Sequence, residues 1–204
     1  HVIHNSVKDL NDQGNVEILR SLIRFDGKVI MSAGRLIPLK RFDMLVRLMP
    51  VLVERFGNIK LFIAGDGPEK EKLERLAIDL EIFRDISFWG FQDNPFKYTA
   101  KATIFILSSI FEGFPMVLLE AMACGTPVIA TRCKSGPEEI IEDGKSGILL
   151  PVADEQALAK AIIRLLKDVP LQKRFAKEGE LRAQDFAAER IVKEYESFFE
   201  EVIS

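Results

Sequence analysis

Short apolar runs alternate with segments of helical periodicity along most of this chain, and each run ends at a glycine, a proline or a small polar cluster. The first run, Lys28-Val-Ile-Met-Ser-Ala, stops at Gly34. Further runs fall at residues 59–64, 86–89, 102–107, 127–130 and 147–150. Between them, Phe42, Leu45, Val46, Leu48, Met49 and Leu52 recur at helical spacing and end before Gly57. A second helix is expected from Pro68 to about Leu80, and a short one starts at Asn94-Pro95. Pro115 opens another that stops at Gly125, and Pro137 begins a brief helical turn. From Asp154 the pattern is helical to the end, with breaks near Val169-Pro170 and Gln184-Asp185. Strands separated by helices pair in parallel through crossovers. The expected fold class is therefore α/β: a doubly wound parallel sheet with helices on both faces. The stretch before the first strand is weakly patterned and reads as a linker arm with a short helix near residues 16–22.

Sheets of this kind bind ligands outside the carboxyl ends of their strands, so the residues just after each run carry the chemistry. After the first run come Gly34, Arg35 and Lys40. The glycine permits close approach, and the two cations suit a diphosphate. After the second come Gly65-Asp66-Gly67-Pro68, a tight turn feeding a helix with Asp66 near its N-cap. After the third come Gly90 and Phe91, where a backbone edge is open to a base. The fourth is followed by Ser108-Ser109-Ile110-Phe111-Glu112-Gly113-Phe114-Pro115-Met116-Val117-Leu118-Leu119-Glu120. With Pro115 at the first helical position, the amides of Met116 and Val117 lack intrahelical partners and form an anion site. Gly113 keeps the approach open. Glu112 lies in the preceding loop at the mouth of the cleft. Glu120, about one and a half turns into the helix, can accept hydrogen bonds from vicinal hydroxyls. The Ser135-Gly136-Pro137 turn reads chiefly as structural.

Composition narrows the partners. The chain is 48% hydrophobic and 29% charged with a formal net charge of -3, an ordinary globular balance without a global basic field for nucleic acid. No apolar run reaches the ~18 residues of a membrane span. The two cysteines, Cys124 and Cys133, make neither a disulfide framework nor a metal set, and read as reduced residues. A dinucleotide dehydrogenase is disfavoured, because no Gly-x-Gly-x-x-Gly follows the first strand.

In this order, Gly34-Arg35-Leu36 with Lys40, Ala64-Gly65-Asp66-Gly67-Pro68, Glu112-x7-Glu120, Gly125-Thr126-Pro127-Val128-Ile129-Ala130 and Asp143-Gly144-Lys145-Ser146-Gly147 resemble the retaining B-type glycosyltransferases often called family four. The resemblance covers residues 28 to about 170. It implies two Rossmann-like domains facing across a cleft, of which this chain is the C-terminal, donor-binding one. The expected division is a linker and crossing segment over residues 1–24, a nucleotide-sugar-binding domain over 25–184, and a C-terminal helix over 185–204. That helix would cross toward an N-terminal domain, with an apolar face of Ile191, Tyr195, Phe198, Phe199 and Val202.

The resemblance further implies that Arg35 and Lys40 contact the donor diphosphate and that Glu120 holds the ribose. Glu112 would lie by the sugar, with the backbone amides of Phe114 to Val117 on sugar and phosphates. Family members usually carry glycine where this chain has Arg41. The Lys-Arg-Phe-Asp variant resembles a subset acting on bacterial surface polysaccharides. The implied reaction moves a sugar with retention, a UDP-sugar being the favoured donor, to a hydroxyl of a glycan or lipid-linked acceptor held by the other domain. The implied class needs no cofactor and no metal, and no Asp-x-Asp stands in the sequence. The implied setting is cytoplasmic, peripheral at the inner membrane face if the acceptor is lipid-linked. Two alternatives stay open at this point: a nucleotide-sugar epimerase of similar fold, and a non-catalytic doubly wound interaction module.

Overall fold

The computed structural model of the chain describes residues 26–92 and 94–203; the expected linker and its short helix lie outside them. Six strands form one parallel sheet: β1 Lys28–Ala33, β2 Ile59–Ala64, β3 Ile86–Phe88, β4 Ile104–Leu107, β5 Val128–Thr131 and β6 Ile148–Leu150. Their spatial order is β3-β2-β1-β4-β5-β6. The order reverses direction between β1 and β4, which pair in register Ile30↔Ile104 and Met31↔Phe105. In sheets of this kind the loops leaving the strands at such a reversal border the usual ligand crevice.

The period-2 pleat explains why the strands read as continuous apolar runs. Along β1, Ile30 joins one core and Met31 the other; along β4, Ile104 and Ile106 join the first, Phe105 and Leu107 the second. Helices α1 Phe42–Phe56, α2 Lys70–Asp79 and α6 Glu155–Lys167 cover the first face. A one-turn helix, α3 Phe96–Thr99, leads into β4. On the second face lie α4 Met116–Ala123 and the short α5 Pro137–Ile140. Helix α7 Val169–Gln184 packs against α4, with Leu171 and Phe175 in the first core and Ala183 in the second. The chain finishes in α8 Ala188–Ile203.

Most expected elements are present, and the departures have local causes. Trp89 falls just outside β3, its ring stacked on Phe62 at a 4.4 Å centroid distance and its amide donating to the Ile63 carbonyl at 3.0 Å. Pro68 stays in the turn before α2 rather than in its first turn, and Glu69 takes the N-cap position. Asp66 is therefore no cap; its carboxylate accepts from the adjacent Gly67 amide. The break near Val169 is made by Asp168, which ends α6 and caps α7 by accepting from the Leu171 amide at 2.9 Å. The break near Gln184 is a turn of Asp185, Phe186 and Ala187 between α7 and α8, tightened where the Phe186 amide donates to the Ala183 carbonyl at 3.0 Å.

Backbone contacts between loops set the upper rim of the sheet. The Gly65 amide donates to the Gly90 carbonyl at 2.7 Å, and the Gly34 amide to the Ala64 carbonyl at 2.9 Å. Gly65 has φ +143°, and a Cβ on it would lie 1.9 Å from the Gly34 carbonyl oxygen. Backbone cannot yield as a side-chain tip can, so only glycine lets the β1 and β2 loops touch. A second strained point follows the 3-10 turn Pro38–Lys40. Arg41 has φ 50°, ψ 39°, left-handed helical values. Its guanidinium grips Asp43 through Nε–Oδ1 at 2.9 Å, and the hydrogen bond to that carboxylate raises the arginine's pKa. The glycine usual at this position in the resembled family is thus explained by the backbone conformation.

Two stability measurements follow. In urea unfolding, Gly65→Ala loses about 3 kcal/mol or more, since it adds a backbone clash to an unfavourable φ. Gly144→Ala, at φ +75° with open space around the new Cβ, loses only about 1–2 kcal/mol. At Arg41 the same assay ranks R41G above R41A by about 1 kcal/mol, because glycine relieves the left-handed strain and alanine does not. Equal stabilities for those two variants would remove strain as the explanation.

Candidate functional site

The crevice beside β1 and β4 is built from three loops. From the β1 loop, Lys40 is positioned by the 3-10 turn that Pro38 starts. Its stem passes over Gly34, where a Cβ would stand 3.8 Å from Lys40 Cε. From the β4 loop, Glu112 meets it: Lys40 Nζ donates to Glu112 Oε1 at 2.6 Å. The two residues lie 72 positions apart in sequence. Main-chain bonds support the pair, since the Ile110 amide donates to the Leu39 carbonyl at 2.8 Å and Ser108 Oγ to the Lys40 carbonyl at 2.8 Å.

The third loop follows β5. Ser135 Oγ donates to the Glu112 carbonyl at 3.0 Å. A Cβ on Gly136 would stand 2.6 Å from the Gly113 carbonyl oxygen and 2.7 Å from Pro115 Cδ, so the two loops touch through their backbones. Cys133 is buried under this junction. Burial pushes its thiol pKa up, the Glu112 carboxylate adds to that, and backbone hydrogen bonds at Cys133 and Glu112 oppose it together with Lys40. Both cysteines are buried.

Glu112 departs from its expected position at the mouth of the cleft. It is only 7% exposed, because its carboxylate folds inward onto Lys40 and Ser109. Pro115 departs by one position. It is the N-cap of α4 with φ -76°, ψ 92°, and the first helical residue is Met116. The amides of Met116 and Val117 still have no acceptor among the described residues, while Leu118 bonds back to the Pro115 carbonyl at 3.0 Å. Pro115 itself brings no N–H to any ligand. Phe114 turns its ring toward Phe186, at a 5.7 Å centroid distance.

The remaining expected residues divide. Arg35 is exposed and has no partner among the described residues, so its guanidinium is available at the rim. Glu120 is half-buried just over one turn into α4. The Gly90 carbonyl already accepts one hydrogen bond, from the Gly65 amide at 2.7 Å. Phe91 beyond it is 77% exposed, whereas Trp89, between Phe62 and Tyr98, is packing. Sequence reasoning does not single out Ser109, Thr131 or Cys133 for the site. The one available sign is that Ser109 is a small hydroxyl three residues before Glu112 at a strand's end. A groove of about 360 Å³ between α1 and α2, lined by Arg41, Arg47, Lys72 and Arg75 among others, contains none of these residues. No described helix is long and apolar enough to cross a membrane.

Known proteins match this architecture. Residues 17–182 fit the family model described as Glycosyl transferases group 1. An uncharacterised glycosyltransferase of Methanocaldococcus jannaschii is 34% identical over 87% of this chain and 51% of its own length. From Campylobacter jejuni, an N-acetylgalactosamine-N,N'-diacetylbacillosaminyl-diphospho-undecaprenol 4-alpha-N-acetylgalactosaminyltransferase is 32% identical over 95% of this chain and 51% of its own. Anabaena HepE, solved in complex with UDP, superposes with a TM-score of 0.86 at 23% identity over 98% of this chain and 57% of its own, which shows the shared fold. The chain spans about half the length of the curated relatives it matches. With a family model matched over residues 17–182, most of its length, this chain belongs to the glycosyl transferases group 1 family.

Proposed function

We propose that this chain is the donor-binding domain of a retaining glycosyltransferase, moving a sugar from a nucleoside-diphosphate sugar, with UDP-sugars favoured, to a hydroxyl of a growing glycan. The observation that carries the reading is the ion pair that joins the loop after β1 to the loop before α4 at the strand-order reversal. There the Lys40 ammonium, held by Glu112, stands on one loop, and the unpaired Met116 and Val117 amides start the helix that follows the other. Arg35, exposed and without a partner among the described residues, adds its guanidinium at the rim. Proteins of the same fold support the choice of nucleotide: HepE was solved with UDP and glucose, and a pneumococcal O-GlcNAc transferase with UDP and GlcNAc.

The chemistry follows from charge. When the glycosidic bond to the donor breaks, the leaving diphosphate gains negative charge. Cations and amides already aimed at it stabilise the transition state without reorganising. Arg35, Lys40 and the α4 amides fill that role, and the dipole of α4 adds to it. Glu112 keeps Lys40 extended into the crevice, and Glu120 takes the ribose hydroxyls. Phe91 and the exposed backbone around it border the base. The acceptor, glycan or lipid-linked, is held by the other half of the enzyme. No cofactor or metal enters this scheme. Assembled with that half, the enzyme works in the cytoplasm, peripherally at the membrane face where a lipid-linked acceptor lies.

Calorimetry with UDP, GDP and ADP tests the reading. At least one nucleotide binds with Kd below about 1 mM, and R35A weakens it about tenfold, as loss of a hydrogen bond between charged groups does. No binding by any of the three, with R35A indistinguishable from the parent chain, refutes the donor site and leaves the interaction-module reading.

A further inference from the structure

Ser109 is fully buried, and its Oγ lies 2.6 Å from Glu112 Oε1. That is the oxygen that also takes Lys40 Nζ. An ionised carboxylate only accepts, so the serine hydroxyl donates. Ser109 is held in turn, since its carbonyl accepts from Thr131 Oγ1 on β5. Glu112 is thereby fixed at its backbone by Ser135 and at one carboxylate oxygen by two donors. No buried side-chain oxygen among the described residues lacks a partner. Oε2, used by neither bond, therefore keeps contact with solvent.

A buried hydroxyl must be satisfied somewhere, and the usual solution is a backbone carbonyl. Ser32 donates to the Ile106 carbonyl, Thr99 to Pro95, Ser108 to Lys40 and Thr126 to Thr99. Among the buried hydroxyls of the described residues, Ser109 is the one that donates to a charged side chain. We infer that Ser109 is a positioning residue for the donor site. It locks the Glu112 rotamer so that Oε1 presents the Lys40 ammonium to the diphosphate while Oε2 stays open to the ligand. This role rests on the donor-site reading above. Its physical basis is that a site must be held by groups whose own rotamers are fixed.

A double-mutant cycle on the 204-residue chain tests it, read by calorimetry with UDP and, if UDP does not bind, with GDP or ADP. S109A weakens nucleotide binding about fivefold in the parent chain, the loss of one hydrogen bond to a charge. In an E112A background the same change has less than about a 1.5-fold effect, because nothing remains to be positioned. S109C, whose thiol is only a weak donor, shows the same dependence on Glu112, and a binding loss that vanishes in the E112A background separates the bond from packing whatever the change in melting temperature. An equal loss in both backgrounds, or no loss in the parent chain, overturns the positioning role while leaving the donor site intact. Failure of every nucleotide to bind the parent chain overturns both.

Discussion

The ion pair between Lys40 and Glu112 holds the candidate site together, and the rest of the upper rim keeps it in place. Two charges drawn out of water lose hydration that their attraction repays only with good geometry and further hydrogen bonds. Glu112 meets that condition through Ser109 on the same oxygen, with its backbone carbonyl tied to Ser135. Lys40 remains partly exposed, its side chain 21% accessible against 9% for Glu112. The pair is thus asymmetric: the carboxylate is anchored, and the ammonium faces outward from it. An anchored anion that aims a cation at a crevice suits a ligand that carries two negative charges close together.

That geometry depends on glycines in a way that stability alone does not require. Gly65 allows the β2 loop to meet Gly34, and Gly136 allows the β5 loop to meet Gly113 and Pro115. Each contact closes the rim on one side of the strand-order reversal. Arg41 shows the opposite solution, a side chain retained at a left-handed position. Its pairing with Asp43, and at 3.9 Å with Glu155, ties the β1 loop to α1 and to the start of α6. Ion pairs that stay partly open to water contribute little on their own. Their effect is to direct a loop whose backbone would otherwise favour glycine.

The C-terminal helix follows a separate logic. Ile191 is buried against the domain, while Val192, Tyr195, Phe199 and Val202 remain exposed. Tyr195 and Phe199 stack on each other at 6.3 Å. The expected apolar stripe is present, buried at Ile191, half-buried at Phe198 and exposed at Tyr195, Phe199 and Val202.

How much was legible in the sequence divides along a physical line. Strands buried on both faces must be apolar throughout, so six of them showed as runs, and the helices between them showed through their 3.6-residue period. Ends were less legible. Whether Trp89 extends a strand, or Pro115 caps a helix instead of opening it, is decided by the local backbone conformation, as ψ 92° at Pro115 shows. The candidate residues Gly34, Arg35, Lys40, Gly113 and Glu112 stood out because strand-end loops are where such sheets work. Sequence spacing cannot report that Lys40 and Glu112 share a bond across 72 residues, that the Gly65 amide bonds the Gly90 carbonyl, or that Ser109 faces a carboxylate. Local chemistry sets which elements form; the pairing of charges from distant loops arises only when strand order brings those loops to one edge.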